Sequence, residues 1–421
     1  MTTNTTATTN TTNTTNTPAD RTGPLQGITV IDLSRALAGP HAAMTLGDLG
    51  ARVIKVETPE TGDDTRSWGP PFVGPHDDPQ ASYFLSCNRN KESIALNLKS
   101  DDGRDSLRRM VERADVVVEN FRPGVLDRLG FSVETMHQIN PRLVVLSITG
   151  FGHDGPEASR SGYDQIVQGE AGLMSLTGPG PDTPQRVGVP IADLLSGMNG
   201  VSGVLAALYE REWTGEGSVV RTSLLSSVVG VHAFQGTRYT VAGEVPQAQG
   251  NHHPSIAPYG LFSCQDGKVQ ISVGSQRLWT TFATAFGLDP EQEQFATNAA
   301  RVGHREALIA AVERVFAVWQ AEPLLERLAE LGIPAGKVRS LDEVYQWEQV
   351  ASQGLLVDVQ HPVLGEVTLP GSPLRFFSGT GDRETTRRDH VAPPVLNQHE
   401  AEIRAWLAES PHTDTAQEAT S

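Results

Sequence analysis

A chain of 421 residues, 38% of them hydrophobic and with apolar runs along most of its length, can build two domains with cores of their own. Its formal net charge of −17 argues against a nucleic-acid binder, which needs basic surface to neutralise phosphates, although local Arg and Lys can still take an anionic small ligand. Two cysteines, Cys87 and Cys264, with no C-x-x-C pair, give neither a disulfide framework nor a cysteine-based zinc site and point to a reducing, cytoplasmic setting.

Residues 1–23 are a Thr/Asn-rich run without the basic start and apolar stretch of a signal peptide, and read as a disordered tail. No run approaches 18 uninterrupted apolar residues, so no membrane span is expected. "GITVIDLS" (27–34) reads as a buried strand, 39–51 as a loop and short helix, and "RVIKVE" (52–57) as a second strand. That β–α–β unit favours a parallel sheet with right-handed crossovers. The pattern recurs: a strand at 93–98, a helix at 100–114 with an Asp-rich first turn, strands at 115–120 and 143–152, a helix at 200–215, and a strand leading into another helix over 218–236. Beyond about 237 the character changes, with a Pro-, Gly-, Gln- and His-rich stretch at 241–260. A hairpin at 260–275 turns at Gln265-Asp266-Gly267, helices follow at 277–287 and 304–331, and 332–346 closes a smaller α+β region. Two last β segments flank Leu364-Gly365.

Three features bear on chemistry. The first β–α–β unit opens as a dinucleotide fold does, but its turn, "SRALAGPHAA", has the single Gly39 where G-x-G-x-x-G needs three, so NAD(P) or FAD is not expected. His252 and His253 are adjacent, do not point easily to one centre and have no third ligand nearby, so no metal is expected. Asp193 is one carboxylate in the small, apolar run "GVPIADLLSG" (188–197). It reads either as a helix cap or as a nucleophile, and the two are compatible, because exposed N–H groups and the helix dipole also keep a carboxylate ionised. Gly197, Gly200 and Gly203 follow at spacing that lets a backbone or ligand approach one face.

Seven stretches in order carry a resemblance: 30–68, "NRNKESIALNLKS" (88–100), "ADVVVENFRPGVLDRLGF" (114–131), "SITGFGHDGP" (147–156), 162–178, "PIADLLSGMNGVSGVLAAL" (190–208) and "HPSIAPYGLF" (253–262). Together, over about 25–405, the chain resembles the class III CoA-transferases, a superfamily shared with the α-methylacyl-CoA racemases. The resemblance implies an α/β fold in an interlocked homodimer, with a Rossmann-like, discontinuous large domain on a parallel sheet and a smaller α+β domain. The expected boundaries are a large domain at 24–230 completed by 350–405, a linker at 231–245, a small domain at 246–349, and a disordered tail at 406–421. It implies coenzyme A as co-substrate with no further cofactor, and acyl-CoA and a small carboxylic acid as partners, with no nucleic acid or membrane. Arg35, Ala36, Leu37 and Ala38 would contact CoA, with Leu96, Lys99, Asn120, Phe121, Arg128 and Leu129 lining its nucleotide end. Asp193 would be the catalytic nucleophile and Tyr163 a supporting residue. The loop 249–255 is expected to gate the site.

Two departures concern CoA: Leu37 stands where formyl-CoA transferase has a glutamine, and Thr58 where it has an arginine. Two more concern the reaction: Tyr163 replaces the racemase histidine, and Ser263 a racemase glutamate. A racemase needs two groups that exchange a proton near neutrality; His, at about 6.5, suits this and Tyr, at about 10, does not. The expected function is therefore transfer of CoA from an acyl-CoA, with succinyl-CoA a candidate donor, to a free carboxylic acid through an aspartyl anhydride. The alternatives are a 2-methylacyl-CoA racemase or epimerase, and a CoA-binding protein without catalysis.

Overall fold

Six strands, Thr29–Asp32 (β1), Arg52–Glu57 (β2), Lys91–Ala95 (β3), Val116–Glu119 (β4), Val144–Thr149 (β5) and Val219–Ser223 (β6), form one parallel sheet in the order β3-β2-β1-β4-β5-β6. The computed structural model describes residues 22–409; the expected tails lie outside them except for Thr22, Gly23 and 406–409. β4 and β5 are buried along their whole length, the run of Val, Leu and Ile expected of a parallel sheet covered on both faces. The chain leaves β1 toward β2 on one side and returns to β4 on the other. The strand order therefore reverses between β1 and β4, the point at whose C-terminal side open α/β sheets bind their ligands.

Ala38–Asp48 (α1) and Asp101–Arg113 (α2) are crossover helices. Ser100 caps α2 by accepting from Gly103 N–H, and Asp101 and Asp102 occupy its first turn. Ile191–Thr214 (α3) starts nine residues before the helix expected at 200–215 and two before Asp193, the expected cap, so Asp193 is inside its first turn. Its glycines allow close packing: an added Cβ would lie 2.8 Å from the Ala38 carbonyl at Gly197, 2.9 Å from the Leu146 side chain at Gly200 and 2.4 Å from Val220 at Gly203. Among the described residues α3 is the one helix long and apolar enough by composition to cross a membrane. Here it lies on the sheet, and buried Arg211 near its end pairs with Asp115 at 3.0 Å.

The chain divides into two compact units, the first holding the residues up to Ser161, Asp193–Ser223 and those from Leu355, the second Gly162–Ala192 and Leu224–Gly354. This differs from the expected boundaries, which kept 162–192 in the large domain. The expected linker at 231–245 contains a helix, Ala233–Ala242 (α4), ended by left-handed Gly243. In the first unit, the two β segments expected about Leu364-Gly365 are Leu356–His361 and Gly365–Pro370, paired antiparallel. Glu400–Ala408 then runs past the expected boundary at 405, because Ile403 and Leu407 are buried in the core under the sheet.

The second unit is built on Tyr259–Ser263 (β7) and Lys268–Ser272 (β8), the expected hairpin, with Ala335–Lys337 (β9) added antiparallel to β8. β8 alternates buried Val269 and Ile271 with more exposed neighbours, and its core includes Phe262, Trp279, Phe282 and Phe316. The single helix expected over 304–331 is two, Arg305–Phe316 and Ala321–Glu330. The break is held by the hairpin turn: Gln265 N–H donates to the Trp319 carbonyl and Asp266 accepts from Ala321 N–H.

Candidate active site

The turn after β1 is locked to the turn after β4. Arg35 N–H donates to Asn120 Oδ1 at 2.8 Å, and Asn120 Nδ2 donates back to the Arg35 carbonyl at 2.7 Å. Ala36 sits in the left-handed region at φ 65, a conformation held by this turn against the usual preference of an L residue. The Arg35 guanidinium donates to Thr58 Oγ1 at 2.7 Å and lies 5.9 Å from the Phe121 ring centre. Leu37 is only 5% exposed, so its side chain belongs to the core and its backbone is what the turn presents. Leu96 is buried, with Phe121 and Leu129 packed against the same apolar cluster. Thus the Arg35–Ala38 turn and Asn120–Phe121 come together at the C-terminal edge of the sheet, and Leu96, Phe121 and Leu129 share one apolar cluster. Lys99, just before α2, and Arg128, on the short helix Val125–Leu129, are exposed cations.

Beneath the turn lies a buried charge network that sequence reasoning missed. Lys91 Nζ donates to Asp32 Oδ2 at 2.8 Å, to the Pro40 carbonyl at 2.8 Å and to Asn88 Oδ1 at 2.9 Å. Lys55 Nζ is 2.8 Å from Asp63 Oδ2 and donates to the Ser34 carbonyl at 3.0 Å. Glu57 takes two bonds of 2.7 Å from Arg66. Burial opposes the charge on Asp32, but Lys55 and Lys91 beside it hold its carboxyl below the ordinary value. Burial likewise opposes ionisation of Glu57 and Asp63, and Arg66 and Lys55 respectively overcome it. Burial pulls Lys55 down, but Asp32 and Asp63 leave it raised, whereas on Lys91 burial outweighs Asp32. Through the carbonyls of Ser34 and Pro40 the two lysines pin both ends of the 35–38 turn. The available signal was a lone charge inside each of the apolar runs "VIDL" and "VIKV".

Asp193 is the third residue of α3 and half-buried, in the turn where the helix dipole favours a negative charge. Capping is done at least in part by another carboxylate: Asp164 Oδ1 accepts from Ala192 N–H at 2.8 Å, within the second unit. Asp164 Oδ2 accepts from Gln168 Nε2 at 2.6 Å, and Gln168 Oε1 accepts from Val187 N–H at 2.9 Å, tying down the approach to α3. Tyr163, immediately before the helix Asp164–Glu170 of that unit, is 66% exposed.

The loop 249–255 is anchored within the second unit. Gly250 N–H donates to the Gly178 carbonyl, the His253 ring stacks on Phe234 and Tyr259 with centres 5.6 and 5.1 Å away, and Arg305 donates to the carbonyls of His253 and Pro254. His252 meets the Phe262 ring edge-on. Among the described residues no three His, Cys, Asp or Glu are grouped to hold a metal.

A parallel sheet ordered 3-2-1-4-5-6, with an Arg- and Phe-bearing turn clamped at its reversal point, defines an α/β protein of the class that binds nucleotide-bearing ligands there. The profile of CoA-transferase family III matches residues 25–400, and the chain belongs to that family and is a CoA-transferase. It is 38% identical over 400 residues to the succinate–glutarate CoA-transferase of Agrobacterium fabrum, covering 94% of this chain and 98% of the relative. It is also 38% identical to the acetyl-CoA:oxalate CoA-transferase of Acetobacter aceti, over 93% and 97% of the two chains. A CAIB/BAIF family protein of Brucella suis superposes with a TM-score of 0.80 at 41% identity, over 92% of this chain and all of the other.

Proposed function

We propose that the enzyme moves CoA between small dicarboxylates, with succinyl-CoA as donor and an acid such as glutarate as acceptor, through covalent intermediates on Asp193. The supporting observation is a half-buried carboxylate in the first turn of a 24-residue helix otherwise rich in small and apolar residues. The named acids of the Agrobacterium relative support the substrate class.

In this reading the Asp193 carboxylate attacks the thioester carbonyl, forming a mixed anhydride and expelling CoA thiolate. The thiolate attacks the Asp193 carbonyl of the anhydride, giving aspartyl-CoA thioester and freeing the first acid. The incoming carboxylate attacks that thioester, making a second anhydride and again releasing thiolate. Attack of the thiolate on the new acyl carbon yields the product acyl-CoA and restores Asp193.

Coenzyme A binds across the 35–38 and 120–121 turns. Arg35, held by Thr58, supplies a cation near Phe121 and makes up for the arginine missing at Thr58. Lys99 and Arg128 neutralise phosphates farther out. A homodimer is supported by Met198, Leu205, Tyr209 and Trp213, which expose one apolar stripe along α3 within the first unit. The free thiols of Cys87 and Cys264 fit a cytoplasmic setting.

Succinyl-CoA mixed with a panel of free acids tests the reading. New acyl-CoA should form only when an acceptor acid is present. Solvent deuterium entering C2 of a 2-methylacyl-CoA without acceptor would support the racemase instead, and CoA binding without turnover the binding protein.

A further inference from the structure

β2 and β4 both end in a buried glutamate, but the two are treated differently. Glu57 is paired with Arg66, whereas Glu119, 7% exposed, has no ion pair among the described residues. Glu119 Oε2 accepts from Phe121 N–H at 2.8 Å, and Oε1 accepts from the Ser147 hydroxyl on β5. Ser147 Oγ lies 2.7 Å from His153 Nε2, in the glycine turn after β5. A cavity of about 180 Å³ opens beside the three, with Thr149, Arg122 and Arg221 also in its wall. Asp127 faces Glu119 from the neighbouring helix, and Arg221 and Asp154 face His153. Burial raises the Glu119 carboxyl above its ordinary value, with Asp127 adding to it, while burial and Arg221 lower His153.

The line His153–Ser147–Glu119 is complete in two proton arrangements. With Glu119 ionised, His153 Nε2–H donates to Ser147 and Ser147 donates to Glu119, which holds Phe121 N–H by a charge-assisted bond. With Glu119 protonated, one proton has entered from solvent at His153 Nδ1 and the line has shifted by one place: the Glu119 hydroxyl donates to Ser147, Ser147 donates to the unprotonated Nε2 of a neutral His153, and Phe121 N–H is held by a neutral oxygen. Charge-assisted bonds are the stronger. Phe121 adjoins Asn120, whose side chain clamps Arg35.

We propose that Glu119, Ser147 and His153 are positioning residues, a reversible proton relay that sets how firmly the Asn120–Phe121 turn is held for coenzyme A. The inference rests on the reading that this turn contacts CoA. Its direction is fixed: CoA binds more tightly once Glu119 is ionised, and more weakly on the acid side. Plain repulsion between Glu119 and a CoA phosphate predicts the opposite order.

The test is calorimetric titration of free CoA into the full chain from mildly acid to mildly alkaline pH, for wild type, Glu119→Gln and Ser147→Ala. The amide of Glu119→Gln imitates the protonated acid, so this variant should show the weaker affinity at every pH, lower than the alkaline wild type by roughly 3- to 10-fold, the ordinary worth of one hydrogen bond. Ser147→Ala takes a donor from the carboxylate and should move the wild-type pH step upward. It removes only a hydroxyl, so it carries the test if Glu119→Gln fails to fold. A wild-type pH profile in both variants, or tighter binding on the acid side, would overturn the relay. No CoA binding by the wild type at any pH would remove the site reading itself, and the relay with it.

Discussion

Asp193 and Arg35 are asked to do separable things. Asp193→Ala removes the proposed nucleophile and should lower turnover by about 10³-fold or more, in line with the loss of a covalent catalyst, while CoA still binds. Arg35→Lys keeps a positive charge but loses the planar fork that donates to Thr58. It should raise KM for the acyl-CoA by about tenfold and leave kcat nearly unchanged, as expected for an interaction made equally in ground and transition states. Steady-state kinetics with acyl-CoA and acid varied in turn separates the two. The residues of the turn were legible as motifs, since Arg35, Asn120 and Phe121 stand in "SRALA" and "ENF". Their mutual clamp was not, because it joins positions 85 residues apart. The pairing of Asp32 with Lys55 was hidden for a similar reason: the two are register partners on β1 and β2, and only strand register makes them neighbours.

At the scale of elements, α3 is the clearest case. A glycine in a helix interior normally costs about 1 kcal/mol relative to alanine, so Gly→Ala should stabilise an ordinary helix. Gly197→Ala should do the reverse, because the new Cβ would meet the Ala38 backbone carbonyl at 2.8 Å. A loss of about 1–3 kcal/mol in chemical denaturation, the usual cost of overpacking, is expected, with lowered activity because α3 carries Asp193. The sequence showed the spacing of these glycines and, with Asp193 as a candidate cap, a helix start near 193, but not which carboxylate caps it. The Ala192 N–H there is taken by Asp164, 28 residues upstream. The C-terminal edge of the sheet makes a pH prediction. The Asp32, Glu57 and Asp63 carboxyls lie below their ordinary values, so the stability they contribute is present above the unfolded values near 4 and is lost as pH falls through the folded ones. Acid unfolding should therefore begin below about pH 4. Lys91→Met, which strips Asp32 of its nearest cation, should cost about 3–5 kcal/mol and move that transition to higher pH.

For the molecule as a whole, the alternation of strands and helices announced the parallel sheet, and the Pro/Gly-rich change near 240 announced a second body. The partition itself was less legible. Residues 162–192 belong to the second unit through contacts such as Ala248 N–H with the Ser175 carbonyl and His232 with the Ala171 carbonyl, long-range bonds with no composition signal. The apolar stripe of α3 gives an oligomer prediction. Leu205→Glu places a charge amid Met198, Tyr209 and Trp213 and should shift the mass measured by light scattering from dimer toward monomer. An unchanged monomeric mass in the wild type would remove the dimer. The covalent role proposed for Asp193 is central, and intact mass after mixing with succinyl-CoA and rapid quenching, for wild type and Asp193→Ala, tests it most directly. A CoA-sized adduct mapping to the peptide that contains Asp193, discharged by added acid and absent from the variant, is the predicted result. Turnover without any adduct, or an adduct that persists in Asp193→Ala, would contradict it.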